Sequence, residues 1–502
     1  MHDQRSCGGR FLLKSRSFGL VAVRRRYLRV WRGVSLFIVL QWILSPPPSI
    51  AADSDKRMSP SARESAEPAG DEGGGQVLTL EEAYRLALGN EEQVKIAEHE
   101  LAKAQLLPWR AVTLLTPRAE IDGTYTRNKS EIAFVPQTDG AGGGSNGGTT
   151  PSSFGGTTSV IRPLESWQGN FVVTQPIFQP SFLPAWRLGK EAVNQTAQRY
   201  GFTVREVLFG VARAYYDVLR SREQVRVAED TLRLTKDELK QAQARFRVGE
   251  VTKTDVLRAE VEVARSERTV VANRNALQLT RATLARAVGV PEPVRIIEPT
   301  PPVSRGERYE RLLEQAFINR QDLRAQAAAV EVARERKNQV LARYFPSINT
   351  QWNYPRLDSP TFANRDKFWV LTLNFQVPLF DGGVRELDLQ EQNENLSQAE
   401  LQFAQLKKNV GIEVRRALLD VETLEATLET LKKEVLLAQE NHRITSKQYG
   451  VGLATSLDVN TALNSLTQVR TQLIDQTYAY QVALLALDQA VGLFAQEYIP
   501  QR

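Results

Sequence analysis

The sequence predicts an α+β membrane protein: long coiled-coil helical hairpins joined to four β-strands, laid out twice in tandem. Three observations predict it. The stretch 243-QARFRVGEVTKTDVLRAE-260 returns as 446-SKQYGVGLATSLDVNTAL-463, with Gly249 and Gly452, Thr252 and Thr455, and Asp255 and Asp458 each 203 positions apart. Each copy lies between long proline-free arms whose apolar residues recur every seven positions. Between the arms lie four short segments in which apolar and polar residues alternate.

The chain opens on a leader. Residues 1–52 hold nine Arg or Lys against one acid, so the remaining residues carry −2 of the formal +6. The high pI is therefore a property of the leader, and a nucleic-acid function loses its footing. Arginines at 24–32, the apolar run 34-VSLFIVLQWIL-44 and the small residues Ala51 and Ala52 read as a secretory signal over 1–52. The run falls short of the roughly 20 residues a spanning helix needs. The sequence has a single cysteine, Cys7, which excludes an internal disulfide framework and a cysteine-rich metal site. Residues 53–78, polar and glycine-rich, are expected to be a disordered linker.

Two repeats follow, at 79–290 and 307–494, separated by a proline-rich linker over 291–306. Pro117 and Pro346 are 229 apart, whereas Pro176 and Pro378 are 202 apart, so the first half holds 27 extra residues between these prolines. The Gly/Ser/Thr-rich 138–158 stretch is the visible excess, a surface loop by composition. Each repeat is expected to run helix, two strands (117–177 and 346–379), then a helical hairpin (180–290 and 382–494). In the first hairpin, apolar or small residues fall at 207, 211, 214, 218, 221, 225, 228, 232, 235, 239, 242 and 246. Adding 203 reproduces the series through Val410, Val414, Val421, Leu424, Leu428, Leu431 and Val435. The return arms keep the spacing at Val256, Val263, Val270, Leu277 and Leu284, and at Val459, Leu466, Leu473, Tyr480 and Leu487. Alternating steps of three and four make a coiled-coil seam.

The four remaining segments have period two. Ile121 and Tyr125, Trp167, Phe171 and Val173, Ile348, Trp352 and Tyr354, and Trp369, Leu371, Leu373 and Phe375 each alternate with polar neighbours. Period two means strands, and an aromatic-rich outer side over a polar inner side fits a lipid-facing barrel. Four strands cannot close one, because single-chain membrane barrels begin at about eight. Open edges are prohibitive in lipid. Several chains must therefore pool their strands.

The duplication, 377-VPLFDGG-383, the paired V-G-x-x-T-x-x-D-V turns, and 284-LARAVGV-290 with 487-LDQAVGL-493 together resemble the TolC-like outer-membrane efflux proteins over about 79–494. The resemblance implies a homotrimer with a twelve-stranded barrel in outer-membrane lipid and a helical duct in the periplasm. It further implies a periplasmic adaptor and an inner-membrane pump of RND, ABC or MFS type as partners, with no cofactor. The expected function is an exit duct for solutes. A protein-secretion duct or a periplasmic coiled-coil adaptor are the alternatives.

The doubled turn carries the candidate site. Gly249 and Gly452 suit the left-handed conformation that ends a helix, and Thr252-x-x-Asp255 and Thr455-x-x-Asp458 are capping-box patterns. By resemblance, Asp255, Tyr449 and Asp458 would form the gate, Tyr449 bonding to Asp255 and three copies of Asp458 making an acidic ring. The tips, Val248, Gly249, Glu250 and Val251 with Val451, Gly452 and Leu453, would touch the adaptor. The sequence departs from the family pattern at Ala454, where a basic latch residue is expected, and at Thr461, where a second acid is. Enzyme signatures are missing: no P-loop, no G-x-S-x-G and no metal-ligand cluster. His99 and His442 both fall at helical positions and read as packed or duct-lining side chains.

Overall fold

The computed structural model describes residues 76–134, 159–291, 294–300, 306, 308–357 and 368–498. The signal over 1–52, residues 53–75 and the 138–158 loop lie outside the described residues. In chain order come β1 (Gln76–Leu78), α1 (Leu80–Asn90), α2 (Glu92–Gln105), α3 (Leu107–Val112), β2 (Arg118–Arg127), β3 (Ile132–Phe134), β4 (Ser159–Arg162) and β5 (Glu165–Phe178). The first hairpin is α4 (Phe182–Arg247) with α5 (Lys253–Val288). After β6 (Val294–Ile296) follow α6 (Tyr309–Asn319), α7 (Gln321–Leu341), β7 (Ser347–Leu357) and β8 (Val370–Gln376). The second hairpin is α8 (Val384–Gly450) with α9 (Ser456–Val491).

The outgoing helices of 66 and 67 residues extend about 100 Å at 1.5 Å per residue. Each return helix has 36 residues and spans about half of that. The uncovered half of α4 packs on α2, α3 and α7, and that of α8 on α6 and α7. The seam read from the sequence is the buried one: Val211, Val218, Val225, Ala228 and Ala242 on α4, and Val410, Val414, Val421, Leu428 and Leu431 on α8. Between 204 and 219 the buried face of α4 widens to include Leu208, Tyr215, Tyr216 and Leu219, because it joins one core with α1, α5 and α9. A second core gathers Leu312, Leu323, Val410, Val414, Leu487 and Val491 where α6 meets α8 and α9. Side by side, the hairpin helices run α5, α4, α9, α8.

The expected boundaries need two corrections. The 53–78 linker, expected to be disordered, ends in β1, which pairs in parallel with β6 of the proline-rich linker. Leu78 is buried, and the Tyr215 hydroxyl donates to its carbonyl at 3.0 Å while lying against that of Ile297. The helical arm opening the first repeat is also three helices. It breaks at Glu91, whose ψ of 127° is extended. There the Asn90 amide donates to the carbonyls of Val288 and Gly289 at 3.4 and 3.3 Å, satisfying the end of α5. Gly289 has φ 73°, and a Cβ there would lie 2.5 Å from that of Asn90. In the second half, buried Arg320 takes this place, donating to the Ala490 carbonyl at 3.0 Å and pairing with Glu413 and Asp322. These contacts account for the two A-V-G-(V/L) motifs.

Four strands form one antiparallel sheet in the order β2-β5-β7-β8. Its register sets Tyr125 opposite Trp167, Ile121 opposite Phe171, Phe171 opposite Tyr354, Val173 opposite Trp352, and Trp352 opposite Leu371. All four apolar series therefore share one face. The other face carries Asp122, Asn170, Asn353 and Thr372, with Asn374 donating to Asn349 at 3.1 Å. The strands β3 and β4 pair separately and flank the undescribed loop. Among the described residues, both outer strands, β2 and β8, are paired along one edge only.

Candidate functional site: the hairpin tips

The two turns fold alike because their sequences supply the same parts. Gly249 and Gly452 both adopt φ 81°. Glu250 donates its amide to the Arg245 carbonyl at 3.0 Å, and Leu453 donates to that of Gln448 at 2.8 Å, closing each outgoing helix. Thr252 and Thr455 then begin the return helices as N-caps, each in a reciprocal capping box. The Asp255 carboxylate accepts from the Thr252 amide and hydroxyl at 3.1 and 2.8 Å. Asp458 accepts the same pair from Thr455 at 2.8 and 2.7 Å.

What differs is the contact between hairpins. The second oxygen of Asp255 accepts from the Ser456 hydroxyl of the other hairpin at 2.8 Å. This bond, followed by those from Thr252, holds the Asp255 carboxyl below the usual aspartate range. Asp458 is exposed, and its pKa is lowered by the Thr455 hydroxyl and amide. Tyr449 is only 5% exposed, and its hydroxyl makes no hydrogen bond to the described residues. The expected Tyr449–Asp255 bond is thus corrected: Ser456 holds the Asp255 oxygen instead. Burial pushes the Tyr449 hydroxyl pKa up, with Arg245 pulling the other way.

Arg245, missed in the sequence, is the main cross-hairpin link at Tyr449. It extends from α4, donates to the Tyr449 carbonyl, and sets its guanidinium 4.8 Å from the centre of the Tyr449 ring. Its Nε donates to Glu250 at 3.0 Å. Ala454 carries no charge, and the cation near the turn comes from the opposite hairpin. Thr461 bonds back to the Leu457 carbonyl at 2.8 Å, within its own helix. Of the predicted tip residues, Val248, Gly249, Glu250, Val451, Gly452 and Leu453 are exposed, and Val251 is half-buried. Arginine one turn before a helix-ending glycine is a common C-terminal choice, so nothing in the sequence marked Arg245 as reaching outward.

Comparison with known proteins bears on this geometry. Residues 83–290 and 312–493 match the family described as outer membrane efflux protein. The alkaline protease secretion protein AprF of Pseudomonas aeruginosa is 23% identical over 83% of this chain and 85% of its own length. The outer membrane protein TolC of Salmonella enteritidis is 23% identical over 65% of this chain and 69% of its own. Among solved structures, CusC superposes with a TM-score of 0.68 at 16% identity, covering 87% of this chain and 99% of that one.

Proposed function

The chain belongs to the outer membrane efflux protein family, and from that premise we propose that three copies close into one duct whose periplasmic mouth is gated by the hairpin tips. Members of this family are outer-membrane channels and not enzymes. The observation that carries the proposal is a pair of complementary open edges. The sheet ends at β2 and β8, and the row of hairpin helices ends at α5 and α8. Both helical edges carry exposed apolar residues: Leu257, Val261, Val271 and Leu279 on α5, and Leu437 and Ile444 on α8. On the sheet, Ile121 is 81% exposed on the apolar face. Edges of unlike identity on opposite sides make a heterologous contact, which ends only when a ring closes. Three four-stranded sheets supply the twelve strands the family resemblance implies. Among the described residues no helix is long and apolar enough to cross a membrane, so spanning falls to the sheet.

In this reading the duct carries solutes from a periplasmic adaptor and an inner-membrane pump, of RND, ABC or MFS type, through outer-membrane lipid. Val248, Val451 and Leu453 present the apolar tips to that adaptor. Six turns ring the mouth, and three Asp458 carboxylates form its acidic collar. The bonds of Asp255 to Ser456 and of Arg245 to Tyr449 hold each pair of hairpins together. The likeness to a protease secretion protein supports a second reading, in which the cargo is a secreted polypeptide.

Purified protein reconstituted into planar bilayers tests the proposal. It should conduct ions in small discrete steps favouring cations. Protein that remains dispersed without detergent and gives no conductance would overturn it.

A further inference from the structure

We propose that Glu238 and His442 form a proton-operated clasp that draws the two hairpins of one chain together in mild acid. The pair joins α4 to α8, His442 Nε2 lying 3.4 Å from a Glu238 oxygen. The side chains are 15% and 13% exposed. Among the described residues neither has another hydrogen-bond or ion-pair partner. The pair stands one heptad before Arg245 and Tyr449, since 238 to 245 and 442 to 449 are both seven positions. Both contacts therefore lie on the same face of both helices. One heptad earlier still, α4 faces α9 instead, Thr231 meeting Thr467 at 3.2 Å. The outgoing helices thus converge from 238 and 442 toward the tips, and this pair, one heptad behind the tip contact, must also part if the hairpins separate.

The surroundings make the pair responsive. A carboxylate this shielded is costly to keep charged without a cation, and an uncharged imidazole offers it only a neutral donor. With the imidazole protonated, the contact becomes a charge-assisted bond. The neighbouring charges are paired among themselves: on α5, which packs against α4, Glu262 pairs with Arg265 at 2.9 Å and Glu267 with Lys236 of α4 at 2.9 Å. On α8, Glu440 and Arg443 pair with each other at the surface. On α4, Asp237 pairs with Lys240, and Arg245 is held by Glu250 and Tyr449. On α9, residues 459–469 include no ionisable side chain. Asp255 and Asp458 are both held below the usual aspartate range, so they stay ionised in mild acid. Protonation of His442 then favours joined hairpins over parted ones.

The clasp rests on the reading of the tips as a movable mouth, and its test separates the two. Spin labels at exposed positions on the two turns, Val248 and Leu453, report tip separation in the full-length protein in detergent. Between pH 7.5 and 5.5 the short-distance population should gain about threefold or more over the long one, the scale of exchanging a neutral for a charge-assisted bond. His442→Gln and Glu238→Gln, which keep shape and hydrogen bonding, should each abolish the response, while Asp458→Asn should retain it. An unchanged wild-type distribution, or a response surviving either glutamine variant, would overturn the clasp. A pH-dependent closure in protein that never conducts would leave the clasp standing and remove the duct.

Discussion

Asp255 and Asp458 occupy the same place in two like turns, and their second oxygens separate their roles. Asp255 is tied across the hairpins by Ser456, whereas Asp458 is exposed beyond its capping bonds. Ser456→Ala should therefore raise channel conductance by loosening the tips, with Thr252 still capped. Asp458→Asn keeps a side-chain oxygen that can accept from the Thr455 amide in the capping box. It should reduce cation preference in bilayers while leaving assembly unchanged, since field focusing in a narrow mouth amplifies lost charge. Unaltered selectivity would reduce Asp458 to a cap. Tyr449→Phe should change little, the hydroxyl having no partner to lose, whereas Arg245→Ala should open the mouth. The pH dependence of the Asp255 tie has a definite sign. Its carboxyl is lowered in the folded protein, so the stabilisation is complete above the ordinary aspartate value of about 3.9 and is lost as acid takes pH through the lowered one. Conductance through closed channels should stay low down to about pH 4 and rise below it.

At the scale of the element, the glycines separate two kinds of constraint. Gly249 has φ 81° with open space around its missing Cβ. Gly249→Ala should cost only the left-handed penalty, about 1 kcal/mol. Gly289 has φ 73° and Asn90 in the way, so Gly289→Ala should lower thermal stability considerably more. Equal losses would show that the α5 end is not pinned by Asn90. Elements of this kind were legible in the sequence because they are local. The seven-residue spacing picked out the buried face of α4 and α8, the T-x-x-D pattern placed both N-caps, and period two placed all four sheet strands. Contacts made at a distance were not legible. Nothing in 53–78 or 291–306 indicates that Leu78 and Ile296 belong to paired strands, because three-residue strands carry no period. Ser456 and Arg245 looked like helix-end residues, and only the approach of the hairpins turns them toward Asp255 and Tyr449.

At the scale of the molecule, the proposed assembly depends on edges rather than on any one residue. Among the described residues the sheet ends at β2 and β8 and the helical row at α5 and α8, and an unpaired strand edge cannot persist in lipid. The tips of both hairpins lie level, since Arg245 reaches Tyr449. Counting back from them sets Val261 of one chain beside Ile444 of the next. Cysteines at those two positions should form disulfides between chains and none within a chain. The most direct test is the mass of the purified protein in detergent. The account predicts a particle containing three chains that resists dilution. A stable single chain, with the outer edges of β2 and β8 left open, would contradict it.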